Sequence, residues 1–434
     1  MPPPAAPSAR TRMAARAHRA SPCRRIGLLL TWMLLAVASP GAAQSHPNVV
    51  LIIGDDHGFP YAGFMGDPIV KTPHLDELAR GGVLFTTAYA PSSVCAPTLR
   101  ALVTGHEAFP RSPGASHRPL PPSETLPGLL AQAGYASLQA GKFWLPGYKQ
   151  LGFTEGTKGD DLRGNNFDRF MGGLDGLEVG RTTMKPVYDF IDRHRSSPFL
   201  LFFAPMLPHR PWDPSEELLG RYAPVAQQLT PSALAYYANI PRHDDAEGEL
   251  VAYLDDKGLR SRTLIVYFSD NGFQMDPHEE WDPENYEFAK DSMSEMGYRT
   301  PLIFNWPGQI PAGVVRDDLV SLNDLFPTLL GFAGVKTTRK LAGIDLRSAI
   351  QQGTPVPYTE LIGAMRKVRP VNTGKRPEPK TPLGYFVRTP RWHYLWYPVL
   401  EREQLFDIEK DPRELHDVVA QFPEEKAKLR ATLD

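Results

Sequence analysis

Asn48-Val49-Val50-Leu51-Ile52-Ile53-Gly54-Asp55-Asp56-His57-Gly58 decides the fold. Its first six residues form an unbroken apolar, β-branched run, which reads as a strand buried on both faces, as in a parallel sheet. Two later runs repeat the pattern. Phe199-Leu200-Leu201-Phe202-Phe203-Ala204 ends in Pro205 to Pro211, and Thr263-Leu264-Ile265-Val266-Tyr267-Phe268 ends in Ser269-Asp270-Asn271-Gly272. Further strands read over Val83 to Thr86 and over Gly134 to Ala140, the latter running into Gly141-Lys142. Helical stretches fall between them: His74 to Arg80, Leu126 to Ala133, Pro186 to Arg193 and Leu234 to Lys257. Strands alternating with helices predict an α/β protein with a large, mostly parallel sheet flanked by helices.

Beyond about residue 340 the texture changes. Residues 366–382 are rich in Lys, Arg and Pro and read as a loop. Residues 384–398 hold short aromatic strands around Trp392, Tyr394 and Trp396, and an amphipathic helix begins near Pro423. The expected organisation is a large domain over residues 44–345 and a smaller C-terminal α+β domain over 350–434.

Composition bounds the function. The chain has 434 residues, 42% hydrophobic and 22% charged, with a formal net charge of −2. That balance gives no electrostatic case for nucleic acid or an anionic membrane as partner. Residues 1–25 carry Arg10, Arg12, Arg16, Arg19, Arg24 and Arg25 without an acidic residue. The apolar run Ile26 to Ala38 follows, then Pro40-Gly41-Ala42-Ala43. This is the pattern of a secretory signal over residues 1–43, and the run is short for a membrane anchor. The expected destination is the periplasm or the exterior, with no stable membrane anchor.

Removal of the signal takes Cys23 with it and leaves Cys95 without a disulfide partner. Pro97 suits a first helical turn, and Thr98 to Val103 reads as helical, so Cys95 stands at or just before a helix N-terminus, where negative charge is favoured. Two readings stay open there: a nucleophile facing an anionic substrate, and a buried, inert thiol.

The strand ends carry the remaining chemistry. In open α/β sheets ligands sit beyond the carboxyl ends of strands. Asp55, Asp56, Asp270 and Asn271 gathered there would need a cation, and oxygen-only ligands favour Ca²⁺ or Mg²⁺ over zinc. Singly, Asp55-Asp56 also reads as turn capping and Asp270-Asn271-Gly272 as a hairpin turn. Lys142, His209 and Lys290 add positive groups and imidazole. Together with a metal and a nucleophile they describe a site for a tetrahedral oxyanion ester.

These segments resemble the sulfatase family of the alkaline-phosphatase-like superfamily. The resemblance runs through the Asp55-Asp56 strand, the cysteine segment to Gly105, Gly141-Lys142, Pro208-His209, Ser269 to Gly272, Lys290 to Pro301, Trp306-Pro307-Gly308, Asp324 to Leu330, and Leu405-Phe406-Asp407 with Asp411-Pro412. It implies that Cys95 is oxidised to formylglycine by a maturing enzyme during export. One hydroxyl of the hydrated aldehyde attacks sulfur, and the other expels sulfate from the covalent ester. It implies that Asp55, Asp56, Asp270 and Asn271 hold Ca²⁺, Mg²⁺ being the lesser candidate, with the residue-95 nucleophile on the ion. Lys142, His209 and Lys290 would bind sulfate or protonate the leaving oxygen. The implied substrate is a sulfated sugar or an aryl sulfate.

Two departures stand out. The family pattern Cys-x-Pro-x-Arg has Leu99 at its fifth position, and Arg100, the candidate replacement, is rotated a further ~100° around the helix. Trp144 stands where the family often has His. The alternatives are a phosphate or phosphonate ester hydrolase on the same scaffold and a weakened homologue that only binds sulfated glycans.

Overall fold

A computed structural model describes residues 46–109, 120–143, 147–157, 173–274, 290–365, 384–398 and 400–433. The expected export signal (1–43), Trp144 and the loop read over 366–382 lie outside those residues. Nine strands form the main sheet: β1 Asn48–Gly54, β2 Val83–Tyr89, β3 Ala136–Gly141, β4 Glu155–Gly156, β5 Phe199–Ala204, β6 Thr263–Ser269, β7 Arg299–Asn305, β8 Val314–Arg316 and β9 Val320–Ser321. Their order is β4-β3-β5-β1-β6-β7-β2-β8, with β9 also pairing with β2. The architecture is the expected α/β one, a large, mostly parallel sheet flanked by helices.

The apolar runs become the centre of the sheet because they are covered on both sides. Val49, Leu51 and Ile53 pack against helices α1 Cys95–Thr104, α2 Leu126–Gln132 and α3 Leu325–Phe332 on one face. Val50 and Ile52 pack against Pro73–Arg80, Lys185–His194 and the long helix Pro231–Asp256 on the other. Burying a large aliphatic side chain contributes ~1.5–3 kcal/mol, so these alternating rows fix both face and register.

One central strand escapes the sequence reading. β7 holds Pro301, and a proline argues against a central strand because it has no N–H to give the ladder. Yet β7 lies between β6 and β2, antiparallel to both. The sheet accommodates the proline locally: pairing with β6 ends at Leu302, and β2 shifts register between Phe85 and Ala88, opposite Pro301.

A second sheet of four antiparallel strands follows: β10 Leu361–Met365, β11 Gly384–Arg388, β12 Trp392–Tyr397 and β13 Arg402–Asp407. Phe386, Leu395 and Phe406 on one face pack with Tyr89, Met293 and Tyr298 of the main layer. Val387, Tyr394 and Leu405 on the other pack with Leu429 of the closing helix, Pro423–Ala431. Among the described residues no helix is long and apolar enough to cross a membrane.

Candidate active site

Topology assembles the site. β3, β5, β1 and β6 are adjacent and parallel, so their carboxyl ends lie along one edge of the sheet. Lys142 leaves β3, the loop to His209 leaves β5, Asp55-Asp56 leaves β1 and Asp270-Asn271 leaves β6. β7 runs the opposite way and β2 opposes β7 in turn. The start of β7, with the preceding Lys290–Tyr298, and the end of β2, which leads to Cys95, therefore meet the same edge.

Local backbone chemistry aims the side chains. Gly141 has φ +94°, and a Cβ there would lie 2.3 Å from the Ala204 carbonyl oxygen. Only glycine allows that approach, which lets Lys142 N–H donate to the same carbonyl at 2.8 Å and turns its side chain inward. Asp56 (φ +64°) and Asp291 (φ +71°) both sit in the left-handed region, so the two acidic turns beside the site are strained. Cys95 opens α1, as its proline-following motif predicts.

The geometry is close-knit. Lys290 Nζ lies 2.5 Å from Asp56 Oδ1 and 4.0 Å from Cys95 Sγ. Lys142 Nζ donates to Asp55 Oδ1 and stands 3.7 Å from Asp270 Oδ2. Asn271 Nδ2 donates to Asp56 Oδ1 at 2.7 Å, and Asp56 N–H to Asp270 Oδ1 at 3.3 Å. His209 Nε2 is 3.6 Å from Asp56 Oδ2, and its Nδ1 donates to the Arg210 carbonyl at 2.7 Å. Asp55, Asp56 and His209 each present a ligand atom, all within 4.8 Å of one another.

Electrostatics follow from burial. Asp55, Asp56, Asp270, Asn271 and Lys142 are at most 2% exposed. Burial raises the Asp56 carboxyl, but Lys290, His209 and Lys142 outweigh it and hold it well below the carboxylate range. Burial, reinforced by Asp55 and Asp56 against the pull of Lys142, pushes Asp270 up to about 7. Burial lowers the two lysines, but the surrounding carboxylates prevail and keep both ammonium groups charged. His209 is lowered by burial, against the pull of Asp55 and Asp56.

Burial pushes the Cys95 thiol up to about 11 despite Lys142 and Lys290. Burial outweighs the two lysines, so the unmodified thiol is a poor nucleophile at neutral pH.

A hard cation fits these residues. Asp55 Oδ2 and Asn271 Oδ1 are buried and have no hydrogen-bond partner. Three carboxylates with only two ammonium groups, one of them displaced to 3.7 Å from Asp270, leave charge that a cation would balance. The donor set is oxygen-rich, which suits Ca²⁺ or Mg²⁺.

Arg100 does not join this group. Its side chain is exposed on the outer side of α1, while Leu99 is fully buried in the apolar core. The extra ~100° of helical rotation carries position 100 away from the sheet edge. Two residues with clear contacts here escape the sequence reading. With its amide oriented to satisfy both sides, Gln274 Nε2 donates to Asp56 Oδ2 at 3.0 Å while Oε1 accepts from Arg210. The signal available was its place four residues after Asp270. Glu295, fully buried, accepts from Tyr89 (2.6 Å), Arg388 (3.0 Å) and Arg299 (3.2 Å), while its N–H donates to Glu414 (2.6 Å). It thereby joins the strand leading to Cys95 with the C-terminal sheet.

Residues 47–335 match the sulfatase family model, and residues 284–434 match the C-terminal model of N-sulphoglucosamine sulphohydrolase. The chain belongs to the sulfatase family. It is 31% identical over 380 residues to N-acetylgalactosamine-6-sulfatase of Sus scrofa, covering 74% of this chain and 70% of that protein. It is 32% identical over 376 residues to arylsulfatase A of Bos taurus, covering 73% and 70%. A solved structure of a protein in complex with its substrate, D-glucosamine-2-N,6-O-disulfate, has the same fold at a TM-score of 0.70 and 19% identity, covering 90% of this chain and 97% of that one. The family membership makes this chain a sulfuric ester hydrolase.

Proposed function

We propose that this sulfatase is exported and removes sulfate from a sulfated carbohydrate, using formylglycine made from Cys95 and a Ca²⁺ ion held by Asp55, Asp56, Asp270 and Asn271. The observation that carries this reading is Lys290 Nζ reaching both Cys95 Sγ and Asp56 Oδ1, which puts residue 95 beside the acidic cluster. A thiol held up at about 11 would stay protonated, which argues against the unmodified cysteine as the nucleophile.

Conversion of residue 95 gives a hydrated aldehyde whose hydroxyls supply nucleophilic chemistry, and the cation supplies positive charge opposite developing oxyanions. Lys142 and Lys290 remain charged in the buried site and stabilise negative charge on the sulfuryl oxygens, where low dielectric strengthens the interaction. His209, with Nδ1 committed to the Arg210 carbonyl, presents Nε2 to the site. Protonated there, it gives its proton to the leaving oxygen as the S–O bond breaks. Among the relatives, N-acetylgalactosamine-6-sulfatase supports a sugar substrate by the activity that its name states.

A panel of sulfated sugars and aryl sulfates, run beside phosphate and phosphonate analogues with and without a co-expressed maturing enzyme, tests the reading. Sulfate-ester turnover that requires the maturing enzyme is expected. Faster turnover of the phosphorus esters, or binding of sulfated sugar without turnover, overturns it.

A further inference from the structure

The loop that carries His209 is held from outside by a single buried guanidinium. Arg181 lies in the turn closed by the bridge between Val179 and Thr183. Its side chain is 3% exposed. Nη2 donates to the carbonyls of Met206 (2.6 Å), His209 (3.0 Å) and Pro211 (3.2 Å), and Nη1 donates to Asp213 Oδ1 at 2.6 Å. One planar fork therefore gathers three carbonyls of an irregular segment, from Met206 on the buried side to Pro211 at the surface.

A second observation points the same way. Gly180 has φ +76°, and a Cβ there would lie 2.6 Å from Pro205 Cβ. The turn thus presses directly on the first residue of the loop. On its inner side the loop is tied to the site, because Asp55 N–H donates to Leu207 O at 2.9 Å. The imidazole direction follows from this path, since Nδ1 is bonded to the backbone of the same loop.

We propose that Arg181 is a positioning residue for leaving-group protonation: by gathering the 206–211 carbonyls it aims His209 Nε2 at the leaving oxygen. The proposal rests on the reading of His209 as the general acid. Arg181 gives its hydrogen bonds to the 206–213 segment and none to the two lysines or to the Asp55, Asp56 and Asp270 side chains, so its loss should impair proton delivery more than attack on sulfur. A poor leaving group such as a sugar alkoxide needs that proton, and nitrophenolate does not.

The test is a leaving-group series, from nitrophenyl sulfate to alkyl and sugar sulfates, with the wild type, Arg181→Gln, Arg181→Lys and His209→Ala. In Arg181→Gln, kcat/KM for alkyl and sugar sulfates should fall by about 10²-fold, the scale of general acid catalysis, and for nitrophenyl sulfate by under about 5-fold. Arg181→Lys, which keeps the charge but not the fork, should fall between and serves if the Gln variant does not fold. A variant combining Arg181→Gln with His209→Ala should be no slower on alkyl sulfates than His209→Ala alone, because the two residues act as a unit. An equal drop across the series in the Arg181 variants, with a steepened series in His209→Ala, overturns the role of Arg181. A flat series in His209→Ala overturns the general-acid reading and the proposal together.

Discussion

Lys290 Nζ stands 4.0 Å from Cys95 Sγ while paired with Asp56, so one ammonium group reaches both residue 95 and the acidic cluster. Its removal should do more than weaken binding. In Lys290→Met, kcat/KM for nitrophenyl sulfate should drop about 10²–10³-fold, the scale of losing one preorganised group that stabilises an oxyanion. Steady-state kinetics on folded variant, verified by circular dichroism, checks this.

The acidic cluster should reveal its cation through stability. Ca²⁺ at a hundred times its dissociation constant should stabilise the native protein by about 2.7 kcal/mol over chelator-treated protein. Mg²⁺ should give a smaller response, and Asp270→Asn should abolish most of both. Urea denaturation with chelator, Mg²⁺ and Ca²⁺ makes the measurement; an Asp270→Asn variant that still responds to Ca²⁺ like wild type contradicts the assigned ligands.

Cys95 should be chemically quiet as a thiol and visible only once converted. With its thiol raised to about 11, unconverted protein should resist alkylation at pH 8 in the native state and react promptly when unfolded. In converted protein, the tryptic peptide holding residue 95 should be lighter than the thiol form by about 18 Da. Mass spectrometry of protein made with and without a maturing enzyme separates the two species.

Glu295 should set the acid limit of stability. Burial raises its carboxyl, but Arg388 and Arg299 outweigh burial and bring it to about 2, below its ordinary 4.5. A depressed carboxyl contributes stability that is present above pH 4.5 and lost as pH falls toward 2. Glu295→Gln should flatten that limb and cost about 3–5 kcal/mol near neutral pH, because Arg388 is left buried without its partner. Urea denaturation between pH 3 and pH 7 reads both effects.

Much of this molecule is legible in one dimension. The unbroken runs at 48–53, 199–204 and 263–268 can only be satisfied by cover on both faces, and that hydrophobic demand alone dictates parallel strands at the centre of a sheet. Acidic and basic residues directly after such runs must then share one edge. Proline two residues beyond Cys95 placed the start of a helix for the same local reason.

Tertiary packing decided the rest. β7 is central despite Pro301 because β2 changes register opposite it, an accommodation made by a partner strand more than two hundred residues away. The height of the Cys95 thiol depends on burial outweighing two lysines, and no local pattern encodes that balance. Arg181, Gln274 and Glu295 carry no motif. Each matters because the fold brings distant carbonyls, amides or guanidinium groups to a side chain that has been taken out of water, where an unpaired polar group is costly.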